Sequence, residues 1–153
     1  MNIYELKPYI GLGDLIFGMK RRDIRKICGD YKSYPTGFPV ENRFMDDFGN
    51  IQCYYTHRKK LEAVSINPDS IIEYNNVKIE ISKDAKLVIE KLNSIVDDLK
   101  YLHSNESYYS KKLGIFVFCP EDIIENVMIF SEHYYDEENE YLMKNYGTTV
   151  FED

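Results

Sequence analysis

The chain has 153 residues, 44% of them apolar, which is enough to bury the core of one domain, and it carries a formal net charge of −7. No run approaches the roughly 18 to 20 apolar residues of a membrane span, and Met1 to Ile10 lacks the basic-then-apolar layout of a signal peptide, so a cytoplasmic protein with no membrane partner is expected. Cys28, Cys53 and Cys119 are odd in number and far apart, with no Cys-x-x-Cys pair and no His at zinc-ligand spacing, and so read as buried free thiols.

In chain order, Asn2 to Leu12 is an opening segment whose Tyr4, Leu6, Tyr9 and Ile10 can pack on a sheet edge, with Pro8 and Gly11 limiting regular structure. Gly13 to Gly29, GDLIFGMKRRDIRKICG, reads as a short strand, a tight turn at Gly18 and a helix closed by Gly29. Asp30 to Asn42 holds Pro35, Gly37 and Pro39 and reads as a loop, pinned by Phe38 and Val40. Ile51 to Thr56 and Leu61 to Ile66 read as paired strands joined by His57 to Lys60, the second with imperfect alternation.

Ile71 to Tyr74 and Val77 to Ile81 form a hairpin candidate around Asn75-Asn76. Ser82 is the expected cap of a long helix whose apolar stripe, Ala85, Val88, Ile89, Leu92, Ile95, Val96 and Leu99, runs to near Tyr101 to His103. After the polar loop Ser104 to Ser107, Leu113 to Cys119 and Asn126 to Ser131 read as strands joined around Pro120 to Asp122. From Glu132 onward there are seven acids and one base, so residues 132–153 form an acidic tail and Met1 to Ser131 carries only −1.

The order strand, helix, strand, strand occurs twice, about 62 residues apart, with pseudo-repeats at 13–67 and 75–131. The expected fold class is therefore α+β: a single domain, with a largely antiparallel sheet of about six strands and two main helices on one face, from a degenerate duplication.

Candidate chemistry is sparse. The glycines of Gly11 to Gly18 fit neither a dinucleotide fingerprint nor a Walker A loop and read as turn formers. His57, His103 and His133 have no partner at a spacing that defines a nucleophilic or acid–base site; Asp46-Asp47 and Asp97-Asp98 read as solvated acids before metal ligands. No catalytic residue, metal or other cofactor is assigned, and no enzyme is expected. Lys20, Arg21, Arg22, Arg25 and Lys26 give the first helix a basic face, but a neutral to acidic domain argues against a nucleic-acid partner; a solvated face, or one docked on the acidic tail, is favoured.

The 14 tyrosines carry more weight. Tyr54 and Tyr55 read as half-buried strand residues, whereas Tyr134, Tyr135 and Tyr141 sit among Asp136, Glu137, Glu138 and Glu140. Large rigid rings with polar ends suit a partner-facing surface, and an acidic one steers a basic partner. These seven residues are the expected partner-binding set, and reversing the four acids to Lys is expected to weaken binding and leave the fold intact.

Gly13 to Gly29 resembles the opening of a group of small bacterial proteins that reads G-x-I-x-F-G-M, then Ser or Thr, then x-x-E-V-x-x-x-L-G. That group continues with an LGI-x-V-F strand, a second strand ending in I/V-F and a terminal Y-Y-D/E. Here KKLGIFVF at Lys111 to Phe118, IIENVMIFS at Ile123 to Ser131 and HYYDEE at His133 to Glu138 correspond, with departures at Lys20, where Ser or Thr usually caps the helix, and at Ile24. The group is similar to immunity proteins of polymorphic and contact-dependent toxin systems. The resemblance implies an inhibitor that occludes a cognate toxin domain, a basic nuclease-like one on charge grounds, and that acts as a monomer or weak dimer. A non-toxin interaction module of the same fold is the alternative. A small-ligand protein or enzyme would need a deep pocket lined by Asp46, Asp47, His57 or His103.

Overall fold

The computed structural model describes residues 1–37 and 43–153, so Phe38 and Val40 lie outside the described residues. The chain opens with strands β1 (Asn2–Lys7), β2 (Gly11–Leu12) and β3 (Leu15–Ile16), followed by helix α1 (Arg21–Cys28). A meander follows: β4 (Lys32–Pro35), β5 (Phe44–Asp47), β6 (Ile51–Tyr55) and β7 (Leu61–Ile66). The hairpin β8 (Ser70–Tyr74) and β9 (Val77–Ile81) leads into α2 (Ala85–Asn93). A second meander comprises β10 (Lys100–Leu102), β11 (Ser107–Ser110), β12 (Ile115–Phe118) and β13 (Asn126–Phe130), and the chain ends with α3 (Asp136–Tyr146).

The architecture is α+β and mostly antiparallel, but larger than the expected single sheet of about six strands with two helices. Among the described residues there are two sheets and three helices. One sheet has five strands in the order β3-β2-β1-β8-β9, and the other eight, β10-β11-β12-β13-β7-β6-β5-β4. The two meanders meet at the antiparallel pair β13–β7, with Val127 opposite Ile66. The parallel pairing of β1 with β8 makes the opening segment a central strand of the small sheet. Three short antiparallel strands precede α1 and the β8–β9 hairpin precedes α2, and each of these helices leads into a four-stranded meander.

The imperfect alternation of Leu61 to Ile66 has a plain cause. This strand is central, both its faces are covered, and all six residues are buried. On one face Val64, Ile66, Val117, Val127 and Ile129 pack with Leu6, Leu12, Ile72, Ile79 and Ile81 and with Ile24, Val88, Ile89 and Leu92 of the helices. On the other, Ala63, Leu102, Tyr109, Phe116, Met128 and Phe130 pack with Tyr134, Tyr135, Val150 and Phe151. The acidic tail is thus a folded cover over the second face of the large sheet.

Local departures are physical. Asp84, not Ser82, caps α2 by accepting the Leu87 N–H, and the helix stops at Asn93, where Ser94 donates its hydroxyl to the Lys91 carbonyl. Ile95, Val96 and Leu99 still pack on the core, from irregular backbone, so the apolar stripe outlasts the helix. Lys20 gives α1 no side-chain cap; the Lys59 carbonyl accepts the Arg21 N–H instead, at 2.9 Å. Gly18 adopts φ +95° ahead of α1, and a Cβ on Gly11 would lie 2.2 Å from the Leu15 carbonyl oxygen. Asn75 and Asn76 both have positive φ, as the expected two-residue hairpin turn requires. No helix in the described residues is long and apolar enough to cross a membrane. The three cysteines are free; Cys53 and Cys119 are buried, while Cys28 is half-buried.

Candidate functional site

A pocket of about 310 Å³ opens where β4, β6 and β7 meet the chain entering α3. Tyr34, Tyr54, Tyr134 and Tyr135 wall it, and Arg43, Glu62 and Glu138 bring charge to it. Its acidic floor comes from a bulge. Tyr54 pairs with Ala63 and Tyr55 with Leu61, so Glu62 is skipped by β6 and its side chain reaches the outer face. There Arg43 donates through Nη1 to Glu62 and through Nη2 to Glu137 Oε1 at 2.6 Å, tying the sheet to α3. His57 Nε2 lies 3.3 Å from the same Glu137 oxygen.

Burial sets the electrostatics. The Glu62 side chain is 8% exposed, and burial pushes its carboxyl up to about 7 despite the opposing pull of Arg43. Burial alone would raise Glu137 too, but hydrogen bonds from His57 and Arg43 outweigh it and hold the carboxyl below its usual range. Glu138 is half-buried and raised by burial, and its carboxylate makes no ion pair or hydrogen bond among the described residues. It is therefore a carboxylate in a tyrosine-lined pocket with no counter-ion among the described residues. Burial likewise raises the phenols of Tyr54, Tyr134 and Tyr135.

One titration follows. The folded value of Glu62, about 7, exceeds its ordinary 4.5, so its stabilising contribution is complete below 4.5 and is lost as pH rises through about 7. The Glu62→Gln variant is expected to lose that slope, and thermal melts from about pH 5 to about pH 8 measure it. A variant whose melting temperature falls with pH as steeply as the parent's would contradict this.

The structure separates the seven residues expected to bind a partner. Tyr134 and Tyr135 are not surface rings: both are half-buried, and Tyr135 lies 5.4 Å from Phe116, 5.2 Å from Phe130 and 5.8 Å from Phe151 between ring centroids. They reach the outside only as pocket wall. Glu138 joins them, while Glu137 is taken up by Arg43 and His57. Asp136 is exposed beside His133 Nδ1 at 2.8 Å, Glu140 is exposed, and Tyr141 lies 6.3 Å from Tyr146. Of the four acids only Glu137 pairs with Arg43, where a lysine would meet like charge; reversal of Asp136 and Glu140 leaves that contact in place. Arg43 and Glu62 were not expected here; the one sequence signal was a glutamate inside the otherwise apolar run LEAVSI.

The other candidates fall elsewhere. Asp46 is neither solvated nor free for a metal: it is fully buried and held by Arg25, Ser33 and Tyr55. Arg25 accordingly leaves the basic face of α1. Asp47 accepts from the Gly49 N–H and the Gln52 amide. Asp97 and Asp98 lie beyond α2; Asp97 pairs with Lys112, and Asp98 accepts from the Ser110 hydroxyl and the Lys112 N–H. His103 packs edge-on against Tyr101, far along the sheet from His57. Among the described residues no three of His, Cys, Asp or Glu converge as metal ligands. Comparison with protein-family models, curated proteins and solved structures finds no match for this chain.

Proposed function

We propose that this chain is an immunity protein that binds a cognate bacterial toxin domain, a basic nuclease-like one, and neutralises it by occlusion in the cytoplasm. The observation that carries the reading is the pocket at Glu138. A half-buried carboxylate without a counter-ion, walled by tyrosine rings, suits a lysine or arginine side chain presented by a partner, through charge pairing and cation–π contact. Exposed Asp136 and Glu140 on the same helix supply steering for a basic surface. We also infer that the two parts of the chain descend from a duplicated unit, a reading supported by the order antiparallel strands, helix and four-stranded meander that occurs twice, and that the protein acts as a monomer or weak dimer.

Titration calorimetry against the toxin domain encoded beside this gene is the test. Micromolar or tighter binding is expected, weakened about tenfold or more by Glu138→Gln and made less salt-sensitive by Asp136→Asn with Glu140→Gln. Absence of binding at micromolar concentrations counts against the immunity reading. A pocket of about 310 Å³ also lies in the range of small-ligand sites. Saturable binding of a free alkylguanidine at micromolar concentrations, with no toxin bound, would favour that second reading.

A further inference from the structure

We propose that the cleft between α1 and the β6–β7 turn is a binding site for a compact polyphosphate, such as the di- or triphosphate group of a nucleotide. The backbone builds it. Gly18 N–H donates to the Leu61 carbonyl and Leu61 N–H to the Met19 carbonyl, both at 2.8 Å, and Arg21 N–H donates to Lys59 O at 2.9 Å. With the antiparallel bridge between Lys20 and Lys60, these bonds lay the turn along the start of the helix. Lys20–Arg22 then stand beside Arg58–Lys60 around a cleft of about 280 Å³. Arg25 completes the lining but is engaged by Asp46.

The other six cations form no ion pair among the described residues, although Arg21 and Lys60 are half-buried. Among the described residues no acid and no aromatic ring lines the cleft. Like charges gathered this closely repel one another, and a multivalent anion relieves that repulsion. The lining also argues against a protein partner, because interface centres are depleted of lysine and anchored by aromatic side chains, which are missing from the residues lining this cleft.

Ligand size follows from the charge map. Seven of the 19 Lys and Arg line this cleft, leaving twelve against 26 acids over the rest of the chain. That excess of acids over the rest of the chain disfavours a long polyanion, whereas condensed phosphates stay within reach of the six cations. Arginine forks and lysine ammonium groups both suit phosphate oxygens.

The experiment is titration calorimetry of the full chain with sodium tripolyphosphate at about 50 mM and about 300 mM salt. Parallel titrations use ATP and a single-stranded RNA oligonucleotide. The comparison variant is Arg22→Gln with Lys59→Gln, both exposed, with its fold checked by circular dichroism. Binding of tripolyphosphate or ATP is expected, weakened about tenfold or more by the variant and by the higher salt; binding of ATP alone would assign the site to a nucleoside phosphate. No heat at millimolar tripolyphosphate and ATP, equal affinity in a folded variant, or tighter binding of the RNA would each overturn the proposal. None of these residues lines the Glu138 pocket, so the outcome is independent of toxin binding.

Discussion

Replacing Asp46 by asparagine is expected to lower the stability of the protein by about 3 kcal/mol, the largest effect of any single polar substitution argued from this structure. Both carboxylate oxygens of Asp46 are buried and both are used. Arg25 reaches them in fork geometry, Nε to Oδ2 at 2.8 Å and Nη2 to Oδ1 at 3.0 Å; the Ser33 hydroxyl donates to Oδ1 at 2.5 Å and the Tyr55 hydroxyl to Oδ2 at 2.8 Å. Asparagine offers one acceptor oxygen and an NH₂ group that points donors at donors. It also removes the counter-ion of an arginine that is 23% exposed, and that partial access to water keeps the cost near the lower end of the range for broken buried pairs.

Acid should expose the same dependence. Burial alone would raise Asp46, but the bonds from Arg25, Ser33 and Tyr55 prevail and hold the carboxyl below its ordinary 3.8. Its contribution is therefore present above 3.8 and is lost as pH falls through the lower folded value. Urea unfolding should show parent and variant far apart at neutral pH and converging in strong acid. A variant within about 0.5 kcal/mol of the parent at pH 7 would mean that the pair adds nothing net. The pair also joins α1 to β5, so a weakened variant should bind tripolyphosphate less well through loss of the aligned helix.

How much of this was legible follows from range. The Asn75-Asn76 turn, the run Leu61 to Ile66 and the apolar stripe of α2 are local patterns, and the structure keeps them, with α2 cut back to Asn93. Strands β4, β5, β10 and β11 read KSYP, FMDD, KYL and SYYS, with little apolar alternation; sheet pairing holds them, and pairing partners are not visible in a single sequence. The pocket is harder still. Arg43 and Glu137 are 94 residues apart, and the bulge that presents Glu62 depends on the register of β6 on β7. The acidic neighbours of Tyr134 and Tyr135 suggest water, but Asp136 and Glu137 are exposed while both rings are half-buried, Tyr135 against Phe116 and Phe130 and Tyr134 against Tyr54.

Ending the chain at Ser131 is accordingly expected to cost far more than the loss of an acidic tail. The removed segment carries Tyr134, Tyr135, Val150 and Phe151, which cover the second face of the large sheet. Phe116, 1% exposed, stacks on Phe151 with ring centroids 5.6 Å apart, and the Tyr109 hydroxyl donates to the Phe151 carbonyl at 2.9 Å. At about 1.5 kcal/mol for each of four covering side chains, the loss is on the order of 6 kcal/mol, comparable to the whole stability of many domains. The anchor from Glu137 to Arg43 goes as well, leaving Arg43 with Glu62 and the His57 ring. The truncated chain should bind a hydrophobic dye, self-associate in gel filtration and lose its cooperative melt. If it stayed monomeric with the parent's melting temperature, the tail would be an accessory surface after all, and deletion could then serve as a test of toxin binding. If it unfolds as expected, only point changes at exposed Asp136 and Glu140, or at Glu138 in the pocket, can separate binding from folding.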